Sequence, residues 1–130
     1  MNKRRPVVAI VDDDPRLLES LEDLLESAGY AARSFSSAGA LLISGLSGLD
    51  VLITDIGMPG MDGFELRDLA KRTRPDLPVF LITGRHEIVD QDRAQGAGRL
   101  CFRKPFDAKV LLAAVGDALR DRQMEDEHDN

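Results

Sequence analysis

Four short, continuous apolar runs punctuate the chain, at residues 7–11, 51–53, 79–82 and, more weakly, 100–102. Continuous rather than alternating hydrophobicity is typical of strands that are buried on both faces, as in a parallel sheet. A fifth segment, residues 31–35, is more polar and predicts a strand at the edge of that sheet.

Between these runs, apolar residues recur at the spacing of an amphipathic helix. Asp14 is placed to cap the first helix and Pro15 to occupy its first position, where a missing N–H costs nothing. Leucines then recur at helical spacing until Gly29, which is suited to end the helix. Further helices are predicted at residues 38–43, 64–70, 85–95 and, after a cap at Asp107, 110–119.

Strand and helix therefore alternate five times along the chain. This order predicts an α/β fold in which right-handed crossovers place helices on both faces of a parallel sheet. From Arg120 onward the sequence is polar and acidic. We therefore expect one domain over residues 1–120 and a frayed acidic tail over residues 121–130.

Composition narrows the class of protein. The chain has 130 residues, 43% of them hydrophobic, and a net charge of −6, which fits one soluble domain. This acidity disfavours direct binding to nucleic acid. The single cysteine, Cys101, excludes an intramolecular disulfide and suits a reducing, cytoplasmic compartment. The apolar run at residues 7–11 is too short to predict a signal peptide or a membrane span.

Polar residues stand directly after the apolar runs, where open α/β sheets bind their ligands. Carboxylates gathered at that edge repel one another unless a cation intervenes, and a hard divalent ion such as Mg²⁺ prefers oxygen ligands. A hydroxyl and an ammonium beside them would hold the oxygens of a phosphoryl group. Each residue alone also fits a plain structural role, so the joint placement carries the prediction. The residues are Asp12, Asp13, Asp14, Asp55, Thr83 and Lys104.

Four motifs follow successive strands in a fixed order: IVDD at residues 10–13, DIGMPGMDG at 55–63, ITG at 82–84 and KPF at 104–106. Together, over residues 7–120, they resemble the receiver domain of response regulators of the chemotaxis type. The resemblance implies a flavodoxin-like, doubly wound sheet of five parallel strands in the order 2-1-3-4-5, with five helices. It also implies a cis peptide bond between Lys104 and Pro105.

The resemblance further implies a function in two-component signal transduction. Asp55 would accept a phosphoryl group from a sensor histidine kinase or a histidine phosphotransfer protein, and Thr83 and Lys104 would contact its oxygens. The implied ligands of Mg²⁺ or Mn²⁺ are the carboxylates of Asp12, Asp13 and Asp55 and the backbone carbonyl of Gly57.

Such a module assists its own phosphorylation and dephosphorylation but is not a classical enzyme. Phosphorylation would change its affinity for a downstream effector protein, and it would act as a monomer or as a phosphorylation-dependent homodimer. It would act without a membrane anchor.

One position departs from the family pattern. Cys101 stands three residues before Lys104, where receivers usually carry tyrosine or phenylalanine. We expect the neighbouring Phe102 to point into the core rather than to replace that aromatic side chain. The departure predicts a weaker or differently built conformational switch.

Three other functions are compatible with parts of the pattern. Asp12 and Asp14 have the D-x-D spacing of a phosphatase of the haloacid dehalogenase type, although the most distinctive motif surrounds Asp55. A flavodoxin-like FMN carrier shares the strand order, but three aspartates after the first strand would repel the FMN phosphate. The third alternative is a degenerate receiver that acts only as an interaction module.

Overall fold

The computed structural model describes residues 4–84 and 101–128, with side chains described as far as Arg122. The helix predicted at residues 85–95 lies outside the described residues. The elements in chain order are β1 (Val7–Val11), α1 (Pro15–Ser27), β2 (Ala31–Phe35), α2 (Ala38–Ser44), β3 (Val51–Asp55), α3 (Gly63–Thr73), β4 (Val79–Thr83), β5 (Cys101–Arg103) and α4 (Ala108–His128).

The five strands form one parallel sheet in the order β2-β1-β3-β4-β5. The predicted fold class and strand order are therefore confirmed, and β2 lies at an edge as its polarity predicts. The register places Val11 opposite Thr54, and Asp55 opposite Ile82. Because all strands run the same way, the residues that follow them meet at one edge of the sheet.

Helices cover both faces of the sheet and bury an apolar layer on each. β3 and β4 are buried along their whole length, which is why their sequences are continuously apolar rather than alternating. Side chains of α2 and α3 cover one face, among them Leu41, Phe64, Leu66 and Ala70. Side chains of α1 and α4 cover the other, among them Leu21, Leu25, Leu111 and Val115.

Capping residues set where the helices next to the sheet edge begin. The side chain of Asp14 accepts a hydrogen bond from the backbone N–H of Arg16 at 3.0 Å, with Pro15 as the first helical residue, as predicted. At α3, the Asp62 side chain accepts from the N–H of Glu65, whose side chain accepts in return from the N–H of Asp62. This capping box starts α3 close behind Asp55.

The last helix, α4, is longer than predicted. It continues to His128, so the boundary predicted at residue 120 falls inside the helix, and the division into a domain and an acidic tail stays a prediction. Arg, Gln, Met and Glu are good helix formers even without an apolar face. In addition, Arg122 is tied to Asp50 and Asp76 by ion pairs. Among the described helices, none combines the length and the apolar character needed to span a membrane.

Candidate functional site

Three carboxylates converge at the carboxyl edge of the sheet. Asp12 and Asp13 directly follow β1, and Asp55 is the last residue of β3, the strand beside it. One carboxylate oxygen from each of the three lies within 4.8 Å of the others. The structure thus brings together the three predicted carboxylate ligands. An all-oxygen donor set of this kind fits Mg²⁺ or Mn²⁺.

Lys104 brings a positive charge to the same place. It directly follows β5, and its Nζ lies 3.1 Å from Asp12 Oδ2 and 3.6 Å from Asp55 Oδ1. Its backbone N–H donates to the carbonyl of Thr83 at 2.8 Å, and the peptide bond to Pro105 is cis, as predicted. A single ammonium is therefore shared by two carboxylates.

Two of the three carboxylates are removed from solvent. Asp12 and Asp55 are only 1% and 2% exposed, whereas Asp13 is exposed. Burial raises the pKa of Asp12 above its usual value, and the charge of Asp13 raises it further. Hydrogen bonds from the N–H of Asp14 and from Lys104 oppose this rise but do not cancel it. Ionisation of Asp12 is therefore unfavourable in this pocket, and an additional positive charge would favour it.

Thr83 is positioned by the register of the two central strands. It is the last residue of β4 and follows Ile82, the residue that stands opposite Asp55. It is 4% exposed, and its hydroxyl donates to the carbonyl of Gly84 at 3.4 Å. A hydroxyl is thus placed in the strand next to Asp55, and its predicted contact with phosphoryl oxygens remains a prediction.

The loop after β3 packs tightly under Asp55. The N–H of Gly63 donates to the carbonyl of Ile56 at 3.0 Å, which draws the start of α3 against the end of β3. A Cβ atom at Gly63 would lie 2.5 Å from the carbonyl oxygen of Asp55 and 2.8 Å from the Cα of Ile56. Only glycine fits there without a shift of the backbone at the start of α3 or at Asp55.

The sequence motifs indicate no separate role for Gly63. The available signal was a glycine directly after the capping residue Asp62, a position where a better helix former is expected. Gly57, the predicted carbonyl ligand, lies exposed in the same loop. Its role in binding the ion remains a prediction.

Cys101 and Phe102 point to opposite faces of β5. Phe102 stacks on Phe80 with ring centroids 5.9 Å apart and ring planes at 6°, so its predicted place in the core is confirmed. Cys101 lies half-buried against the layer that contains α3. Burial raises the pKa of its thiol, although the positive charges of Arg103 and Arg67 oppose the rise. The described part of β5 thus carries no aromatic side chain on that face.

Comparison with known families agrees with this arrangement. The family described as the response regulator receiver domain matches residues 8–116. The response regulator protein TmoT of Ectopseudomonas mendocina is 36% identical over 122 residues, which cover 92% of this chain and 56% of TmoT. The transcriptional regulatory protein FixJ of Bradyrhizobium diazoefficiens is 34% identical over 116 residues, covering 87% of this chain and 56% of FixJ. The chain thus spans about half the length of these relatives.

Solved structures show the same architecture. A CheY-like receiver domain protein from Methanospirillum hungatei superposes with a TM-score of 0.83 at 27% identity, covering 94% of this chain and 99% of that one. The response regulator StyR superposes with a TM-score of 0.80 at 33% identity, covering 97% of this chain and 67% of StyR.

Proposed function

The chain belongs to the response regulator receiver domain family, and from that premise we propose that it accepts a phosphoryl group on the carboxylate of Asp55. The observation that carries the proposal is the convergence of two further carboxylates and one ammonium on this buried side chain. The two further carboxylates can hold a divalent cation, and this cation together with the Lys104 ammonium would offset the repulsion between Asp55 and an anionic phosphoryl donor.

The proposed reaction is a transfer from a phosphohistidine. A carboxylate oxygen of Asp55 forms a bond to phosphorus while the P–N bond breaks, and the imidazole leaves with the electron pair of that bond. Lys104 neutralises charge on the phosphoryl oxygens, and the Thr83 hydroxyl donates a hydrogen bond to one of them. Positioning and electrostatics supply most of the rate in such reactions.

The same residues would hold the metal ion. Asp12, Asp13 and Asp55 supply carboxylate oxygens, and the carbonyl of Gly57 is the proposed fourth protein ligand. When bound, Mg²⁺ or Mn²⁺ supplies positive charge that orients the phosphoryl oxygens and neutralises them. The raised pKa of Asp12 supports this assignment, because a cation would favour the ionised form that burial disfavours.

The proposed donors are a sensor histidine kinase and a histidine phosphotransfer protein in the cytoplasm. The product is an acyl phosphate that water later hydrolyses, so the domain is a signalling module that is consumed as a substrate rather than a classical enzyme. A phosphoryl group adds about −1.5 to −2 charges. We propose that this charge shifts the affinity of the domain for a downstream effector protein, or for a second copy of itself.

A small phosphodonor tests the proposal without the cognate kinase. The protein is incubated with Mg²⁺ and acetyl phosphate, and its intact mass is measured. We expect the mass of one phosphoryl group to be added in the wild type and in Asp14→Asn, because asparagine caps a helix as well as aspartate does. The adduct should be absent from Asp55→Ala.

The alternatives give different results in the same experiment. Catalytic turnover of a phosphate ester that survives Asp55→Asn would favour a phosphatase of the haloacid dehalogenase type. The absence of any adduct would favour a receiver that acts only as an interaction module.

A further inference from the structure

A second group of charges lies at the opposite, amino edge of the sheet. The Arg122 cluster consists of Arg122, Asp50, Asp76 and Arg74. Arg122 Nη1 donates to the backbone carbonyl of Asp50 at 2.9 Å and to its Oδ1 at 3.2 Å. Arg122 Nη2 donates to Asp76 Oδ2 at 3.1 Å. One guanidinium thus bridges two carboxylates that precede different strands.

Each carboxylate in the Arg122 cluster is also anchored on its other side. Asp50 Oδ2 accepts from the backbone N–H of Val7, at the start of β1, at 2.7 Å. Asp76 accepts from Arg74 Nε at 3.2 Å and from Arg74 Nη2 at 2.9 Å. Arg74 Nη1 in turn donates to the carbonyl of Leu46 at 2.9 Å. The cluster therefore ties α4 to the start of β1 and to the segments that lead into β3 and β4.

This cluster differs from an ordinary surface ion pair. Among the described side chains, Arg120 forms an ion pair only with Asp117, three residues away on the same helix, and both side chains are about two-thirds exposed. Arg122 instead reaches partners 72 and 46 residues away, and its side chain is 22% exposed. Exposed local pairs contribute little to stability, whereas a shared and partly buried guanidinium holds its geometry better.

Arg122 lies beyond the part of α4 that packs against the apolar core. Leu119 is the last residue of α4 that packs against the apolar core among the described side chains. Arg120 and Asp121 are exposed, and Arg122 then returns to the sheet through the cluster. The backbone of the helix continues for six residues beyond it, to His128.

We propose that Arg122 is a clamp that fixes the distal part of α4 on the amino edge of the sheet and so sets the direction in which the helix leaves it. The clamp acts through two carboxylates at once, so a cation that engages only one of them cannot hold the helix in the same orientation. It lies at the edge opposite Asp55 and takes no part in the proposed phosphoryl transfer.

Hydrogen exchange tests this clamp. Amide protection in the full chain is compared by mass spectrometry among the wild type, Arg122→Ala, Arg122→Lys and the matched control Arg120→Ala. We expect protection of residues 119–128 to fall at least about 10-fold in Arg122→Ala, by less in Arg122→Lys and not at all in Arg120→Ala. Amides of β3 should keep their protection in all variants and report that the core is folded.

A second variant tests whether the loss of protection comes from the broken ion pair rather than from the removal of a positive charge in general. Asp50→Asn keeps an oxygen that can accept from Val7 but loses one of the two charges that hold Arg122. It should loosen residues 119–128, although less than Arg122→Ala does, because the backbone carbonyl of residue 50 and Asp76 still accept from Arg122. The clamp is refuted if Arg122→Ala and Arg120→Ala give equal protection in this segment. It is equally refuted if Asp50→Asn leaves the segment unchanged. Adduct formation with acetyl phosphate is measured in parallel, so a failure of the proposed function is recognised separately.

Discussion

The ammonium of Lys104 lies 3.1 Å from the carboxylate of Asp12, a residue 92 positions earlier in the chain. The two residues follow β5 and β1, which are separated in the sheet by β3 and β4. The contact therefore spans the edge at which Asp55 lies and closes the pocket around it.

Replacing Lys104 by methionine should slow phosphorylation more than it harms the fold. The ammonium is the only cation that the described residues place within 4 Å of Asp55. Loss of one such charge typically lowers the rate roughly 100-fold. The rate of adduct formation with acetyl phosphate measures the effect, and Lys109→Met, on the exposed start of α4, is the matched control. A wild-type rate in Lys104→Met would contradict the assigned role.

Replacing Asp12 by asparagine should stabilise the metal-free protein while abolishing its response to Mg²⁺. Because burial raises the pKa of Asp12, the folded state binds its proton more tightly than the unfolded state does. The ionised group therefore destabilises the fold above the raised pKa, and this effect disappears as the pH falls below the ordinary aspartate pKa. Asparagine removes the ionisation altogether.

Urea unfolding in EDTA at several pH values measures this difference. The gain in the free energy of unfolding of Asp12→Asn over the wild type should be largest near neutral pH and should shrink toward acid pH. Added Mg²⁺ should stabilise only the wild type, since binding to the folded state alone adds stability. A gain that grows toward acid pH would contradict the account.

Gly63→Ala should damage both the fold and the site. The new Cβ would lie 2.5 Å from the carbonyl oxygen of Asp55, so either the start of α3 or the backbone of Asp55 must shift. Overpacking of this kind lowers the free energy of unfolding by about 1–3 kcal/mol. Gly39→Ala in α2 is the matched control, because its nearest contact would be 3.9 Å away. That variant should be neutral, or stabilised by up to about 1 kcal/mol. Thermal unfolding and adduct formation report the two effects, and equal behaviour of both variants would contradict the close packing.

Cys101 leads to a prediction about the conformational response. With a small side chain on the face of β5 toward α3, phosphorylation should leave the backbone of β5 largely in place. Amide chemical shifts of the phosphorylated and unphosphorylated protein should differ mainly around Asp12, Asp55 and Thr83. A large rearrangement along residues 101–103 would show that the switch works without an aromatic side chain there.

Much of the fold could be predicted because most strands of the sheet have a recognisable local pattern of apolar and polar residues. Continuous apolar runs identify β1, β3 and β4, and the polarity of residues 31–35 identifies an edge strand. The end of α4 could not be predicted in this way. Its last turns have no apolar face, and the clamp at Arg122 depends on Asp50, 72 residues away.

The location of the site could also be predicted from the sequence, although its close packing and its pKa shift could not. Parallel strands bring their carboxyl ends to one edge, so Asp12, Asp55 and Lys104 could be placed together before any distance was known. The role of Gly63 depends on which backbone lies against it, and neither composition nor spacing encodes that. The same holds for the raised pKa of Asp12, which follows from burial in the folded pocket.

Chemical trapping of the phosphoryl group can show directly whether Asp55 is the phosphoacceptor. The protein is treated with acetyl phosphate and Mg²⁺ and then with borohydride, which reduces an aspartyl phosphate to homoserine, and the peptides are sequenced by mass spectrometry. We expect homoserine at position 55 and at no other aspartate. Homoserine at Asp12 or Asp13 with Asp55 unmodified would contradict it.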